Sequence, residues 1–143
     1  MTITGSHTRT AGRLVVLGAG VDYHEAWELQ CHLVRRRADG AIPDTLLLLE
    51  HAPVYTAGRR TLPEHVTGEL NAPLVETDRG GQLTYHGPGQ LVGYPIVSLG
   101  ERRIGPKTYV RSLEASIVQA LARFHVDAYT EDGLTGVWTE RGK

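Results

Sequence analysis

The 143-residue chain has one cysteine, one methionine and one phenylalanine, and its fifteen basic residues almost balance sixteen acidic ones. A single thiol, Cys31, excludes an internal disulfide and agrees with a reducing compartment. The formal charge of -1 excludes the overall positive field that draws a chain to nucleic acid or anionic lipid. No apolar run reaches membrane-spanning length: "MTITGSHTRTAG" is polar, and "RLVVLGAG" after it is too short for a secretory core. The seven histidines show neither H-x-x-x-H nor Cys/His spacing, so no metal is expected. No serine elbow and no Gly-Lys-Ser/Thr phosphate loop occurs either. A cytoplasmic protein with a local binding site is the reading these absences leave.

What is present suits a folded chain. With 41% hydrophobic and 22% charged residues, the composition is that of an ordinary globule, and a chain of this length buries about 68–70% of its unfolded surface. One domain over residues 13–143 is expected, after a flexible tail over 1–12. "RLVVL" (13–17) reads as a strand rich in branched residues. A helix follows from Asp22, a capping residue with Glu25 three positions on, to an exit at Gly40. Ala26, Trp27, Leu29, Leu33 and Val34 fall on one broad face of it, Cys31 reads as a small packing residue, and "RRR" (35–37) as a solvated helix end. "DTLLLLEH" (44–51) has the continuous apolar character of a central strand buried on both faces. "APLVETD" (72–78), "QLTYH" (82–86) and "QLVGYPIVSL" (90–99) read as an antiparallel meander, with Pro95 marking an edge or bulge. Pro106 opens a second helix carrying Tyr109, Val110, Leu113, Ile117, Ala120, Leu121 and Phe124 at helical spacing. "VDAYT" and "LTGVW" flank the turn "EDG" as a hairpin. Arg141 and Gly142 then read as turn residues, so a returning strand would start at Lys143, and the expectation is a domain whose C-terminal part is absent, with a frayed terminus as the alternative.

The densest chemistry lies in "RGGQLTYHGPGQ" (79–90). Gly80 and Gly81 remove side-chain bulk where the backbone bends, which lets main-chain N–H groups approach a carbonyl, carboxylate or phosphate, and Arg79 adds a planar charge beside them. On an extended strand, Gln82, Thr84 and His86 share one face while Leu83 and Tyr85 share the other. "HAPVYTAGRR" brings His51, Tyr55, Arg59 and Arg60 into a loop after the apolar strand, where binding groups often sit.

Residues 79–94, "RGGQLTYHGPGQLVGY", follow the pattern Arg-Gly-Gly, two variable residues, Thr, aromatic, His, two variable residues, Gly-Gln, one variable residue, aliphatic, one variable residue, Tyr. In this the chain resembles the lipoyl(octanoyl) transferases, also called lipoate-protein ligase B, and "LLLLEHAPVYTAGRR" and "GLTGVW" resemble the same family in the expected order. The resemblance implies an α/β (α+β) fold with a mixed, largely antiparallel sheet packed with helices, like the biotin and lipoate protein ligase catalytic domain. It implies transfer of octanoyl from acyl carrier protein to a lysine of lipoyl domains in oxoacid dehydrogenase complexes and the glycine-cleavage H protein, through a cysteine thioester and without a cofactor. Arg79, Gly80, Gly81, Gln82, Leu83, Thr84, Tyr85 and His86 would form part of the substrate wall. Lys143 would be the catalytic lysine that lowers the pKa of a cysteine in a downstream segment not contained in this sequence, so the chain itself is expected to be inactive. An ATP-dependent lipoate or biotin ligase and a non-catalytic acyl-binding fragment are the alternatives.

Overall fold

A computed structural model describes residues 12–66 and 68–142, which leaves Lys143 and all but Gly12 of the expected tail outside the described residues. The chain divides into two compact units, one extending to Val97 and one beginning at Ser98.

In the first unit, β1 (Arg13–Val21) runs four residues beyond the expected strand. Gly18 and Gly20 take φ values of 85° and 73°, and the register slips at both, so the strand bulges without ending. α1 (Tyr23–Ala38) crosses over to β2 (Thr45–His51), which pairs in parallel with β1. β6 (Val92–Ile96) pairs antiparallel on the other side, giving the order β1-β2-β6 with β2 central as expected. Pro95 opposes Leu46 on the outer strand, where its missing N–H removes no ladder bond from a central position.

Burial of β2 differs from the expectation. Thr45, Leu47, Leu49 and His51 are buried, whereas Leu46 is 38% exposed and Leu48 and Glu50 are half-buried. One face meets the core of Leu33, Ile42, Leu47 and Ile96, on which Val15, Leu29 and Tyr94 pack; the other is covered only in part.

The Asp22 carboxylate caps α1 by accepting the N–H groups of His24 (2.8 Å) and Glu25 (3.1 Å), and Gly40 leaves the helix at φ 70°. Its buried stripe runs through Ala26, Leu33 and Arg37, while Trp27 and Val34, expected on the core face, are 49% and 53% exposed. Arg37 is likewise no solvated helix end: its Nε donates to Asp44 Oδ1 at 2.7 Å, and both side chains are buried. The charge is tolerated there because the carboxylate at the foot of β2 accompanies it.

The second sheet replaces the expected meander. β3 (Val54–Ala57), which the sequence reading placed in a loop, is its central strand, with β4 (Leu74–Glu76) parallel on one side and β5 (Thr84–His86) antiparallel on the other. β6 belongs to the first sheet. The glycine segment after β4 is no tight hairpin turn, because it folds back over the end of β3: Arg59 N–H donates to Arg79 O and Arg60 N–H to Gly81 O, both at 3.0 Å. The carbonyls of the bend thereby satisfy amides just past the end of β3.

In the second unit, α2 (Leu99–Arg102) is one turn and α3 (Pro106–Ala122) begins with Pro106 in its first turn. Phe124, expected on the apolar face of α3, lies past its end and is 78% exposed; His125 follows with φ 59°. The expected hairpin contracts to one antiparallel bridge between Tyr129 and Trp138, whose N–H and C=O groups exchange bonds of 2.9 and 2.8 Å. Gly133 (φ 82°) and Gly142 (φ 110°) sit in the two turns expected near them. No described helix is long and apolar enough to cross a membrane.

Candidate functional site

The bend after β4 is held by Arg79. Its Nη2 donates to the main-chain oxygen of Thr56 at 2.8 Å and to Thr56 Oγ1 at 2.6 Å, while Nη1 donates to Gly80 O at 3.0 Å. Thr56 is fully buried in β3. The planar fork of Arg79 therefore braces its own glycines against the neighbouring strand. Gly81 takes φ 89°, which only glycine adopts without strain. The N–H groups of Gly80, Gly81 and Gln82 donate to no described residue. Consecutive unpaired amides on a bulk-free bend can receive a carbonyl oxygen or an anion.

Gly58, which the sequence reading did not single out, sits buried beneath this bend. A Cβ there would lie 2.6 Å from Gly81 O, 2.9 Å from Arg79 Nη1 and 3.0 Å from Gly80 O. The two backbones approach that closely because position 58 carries no side chain.

β5 starts at Thr84, so Gln82 and Leu83 belong to the bend. Thr84 and His86 are half-buried on one side of the strand, and Tyr85 is 44% exposed on the other, its ring centroid 5.0 Å from that of Tyr55. The Tyr85 ring also folds back against Gly87.

His86 meets a cluster drawn from three other elements. Its ring centroid is 5.7 Å from that of His51 at the end of β2, which lies 5.3 Å from Tyr23 of α1 and 5.9 Å from Tyr94 of β6. His51 is completely buried; its Nδ1 contacts Val21 O at 3.1 Å and its Nε2 contacts the Tyr94 hydroxyl at 2.8 Å. A main-chain carbonyl only accepts, so Nδ1 carries the proton and Nε2 accepts from Tyr94. Burial holds the His51 pKa below the ordinary histidine value, which fits this neutral form. Burial pushes the Tyr94 hydroxyl up to about 12, and raises that of Tyr23 against the opposing charge of Arg79. All three groups stay neutral at physiological pH and make a polar, uncharged floor beside His86.

Of the remaining residues singled out in the sequence, Arg59 and Arg60 are exposed and joined to the bend through their main chains. Cys31 is half-buried on α1. Lys143 lies outside the described residues. Thr56, Gly58 and Tyr23 are additions: the first two were hidden in "VYTAGRR", and Tyr23 directly follows the cap Asp22. Among the described residues no group of three or more His, Cys, Asp or Glu is placed to hold a metal. A groove of about 1010 Å³ along α3 and residues 129–135 of the second unit is lined by none of residues 79–86.

The mixed sheets and the crossover helix define an α/β fold that carries the glycine bend on its second sheet. Residues 22–143 match the family described as the lipoyl protein ligase A/B catalytic domain, and the chain belongs to that family. It is 47% identical over 128 residues to the octanoyltransferase of Chloroflexus aggregans, covering 85% of this chain and 58% of that protein. Over 120 residues it is 52% identical to the octanoyltransferase of Mycobacterium leprae strain Br4923, covering 82% and 50%. The chain thus spans about half the length of the curated relatives it matches. A solved structure of a bi-partite lipoate protein ligase and its E2 lipoyl domain from Thermoplasma acidophilum shares the fold, with a TM-score of 0.64 at 17% identity over 92% of this chain and 52% of that one.

Proposed function

We propose that the bend at residues 79–82 and the strand to His86 bind the acyl head of an octanoyl thioester in a protein octanoyltransferase. The unpaired amides of Gly80, Gly81 and Gln82 carry this reading, since they can receive the thioester carbonyl as negative charge develops on it. The likeness to octanoyltransferases at about half identity supports it. On this reading the donor is octanoyl-acyl carrier protein, and the acceptors are lysines of lipoyl domains in oxoacid dehydrogenase complexes and the glycine-cleavage H protein, in the cytoplasm.

Exchange of a thioester onto a cysteine keeps the acyl carbon activated, so the final amide forms without ATP; the attacking sulfur must be a thiolate. Lys143 is assigned to lowering that thiol's pKa. Cys31, the one cysteine among these 143 residues, sits on α1 outside the motif, and the nucleophile is assigned elsewhere. Residues 1–143 are accordingly expected to bind acyl groups without turning over.

The test is transfer from octanoyl-acyl carrier protein to a lipoyl domain by the enzyme carrying these residues, with and without ATP. Transfer without ATP is expected. An absolute ATP requirement would establish instead the ligase reading that the family description also admits. An octanoyl mass increment on Cys31 of the 143-residue chain, removed by hydroxylamine, would overturn the assignment of the nucleophile.

A further inference from the structure

Gln90 lies beyond the wall of residues 79–86, yet it turns back onto it. Its side-chain Nε2 donates to the main-chain oxygen of Tyr85 over a long 3.4 Å, and its main-chain N–H donates to Gly87 O at 3.1 Å. The intervening turn is fastened by Glu50 of β2, whose Oε2 accepts the N–H of Gly89 at 2.8 Å. Because the Tyr85 carbonyl only accepts, the amide NH2 of Gln90 faces it and Oε1 faces His86. Oε1 lies 2.6 Å from His86 Nδ1. In the neutral ring that nitrogen must then carry the hydrogen, which leaves the lone pair on Nε2. His86 Nε2 makes no hydrogen bond to any described residue.

We infer that Gln90 is a positioning residue: it selects the Nδ1–H form of His86 and so presents Nε2 as an acceptor for an N–H of the lysine amine that receives the acyl group. The tautomer follows from the hydrogen bonds alone, and the identity of the amine rests on the proposed function. An amine that gives one N–H to Nε2 keeps its own lone pair free to point at the thioester carbon. The opposite tautomer would donate its Nε2–H to that lone pair and occupy it. The floor of His51, Tyr23 and Tyr94 is itself neutral, and Arg79, whose charge acts on Tyr23 and Tyr94, is bonded to Thr56 and Gly80.

Long-range 1H–15N correlation spectra of the 143-residue chain test this, with the His86 signals identified by their loss in His86→Gln. The wild type is expected to show Nδ1 protonated and Nε2 as the bare, pyridine-type nitrogen. Gln90→Leu should shift His86 toward the Nε2–H form. Gln90→Glu, which keeps an accepting oxygen but loses the bond to Tyr85, should restore the wild-type pattern; a purely structural contact would not be rescued this way. Nε-octanoyl-lysine amide should then move the Nε2 resonance. An Nε2–H wild type, or a tautomer unchanged in Gln90→Leu, overturns the inference. If octanoyl-pantetheine perturbs the amides of Gly80 and Gly81 while Nε-octanoyl-lysine amide leaves His86 Nε2 unmoved, the inference fails and the proposed function stands. If neither ligand perturbs the wall, the proposed function fails with it.

Discussion

Arg79 reaches from the glycine bend to β3 and gives one nitrogen, Nη2, to both oxygens of Thr56. Arg79→Lys retains the charge but cannot brace Thr56 and Gly80 together. We expect a loss of about 1.5–3 kcal/mol in unfolding free energy, the range for hydrogen bonds to charged groups, read from urea denaturation. Octanoyl-pantetheine should bind the variant more weakly. An unchanged urea midpoint with unchanged binding would show that the brace contributes nothing.

Gly58→Ala tests the approach of the two backbones. The added methyl must push the carbonyls of Gly80 and Gly81 away, because those neighbours are main chain and cannot swing aside. Overpacking of this kind costs about 1–3 kcal/mol, and the amide resonances of Gly80 and Gly81 should shift with it. Gly80→Ala, with nothing near the new methyl and no left-handed φ, should be far milder in stability.

Removing one partner of the buried Arg37–Asp44 pair leaves the other without this ion pair. Asp44→Ala should lower stability by about 3–5 kcal/mol, whereas the double change Arg37→Met with Asp44→Leu should recover most of it. Thermal and denaturant unfolding of the wild type and these two variants decide the point, and a double variant as unstable as Asp44→Ala would refute it.

His51 supplies a pH dependence. Its folded pKa lies below the ordinary value of 6.5, so the unfolded chain binds the proton more readily. Its contribution is therefore fully present above that value and is lost as pH falls through the lower, folded pKa. Urea midpoints measured on descending from pH 6.5 should fall more steeply in the wild type than in His51→Gln. Parallel curves would place the titration elsewhere.

The candidate site was legible where chemistry and local sequence coincide. Arg79, the paired glycines and His86 announce themselves within one short stretch, and the structure brings them to one bend and one strand. Thr56 and Gly58 matter only because a segment more than twenty residues later lies on them, and no local pattern in "VYTAG" carries that information. The same nonlocality explains the meander: glycine clusters signal reversals, but which strand receives the returning chain depends on the carbonyls and amides left open at the end of β3. Four residues between Pro53 and Gly58 offer too short a period to mark β3 as a strand. On α1, hydrophobicity pointed to Trp27 and Val34, while an aspartate at the foot of β2 turned the buried stripe toward Arg37. The cap at Asp22, the exit at Gly40 and the start at Pro106 depend on neighbours a few positions away, and these the sequence reading located.

Gly58 also constrains how such chains can diverge. A lineage that lengthens residue 58 is harmed until the facing carbonyls move, and one that moves them first opens a void under the bend. Each single step between the two arrangements passes through a damaged ancestor. Divergence at the candidate site must therefore work around this contact, reshaping the rim of the bend while position 58 is inherited unchanged.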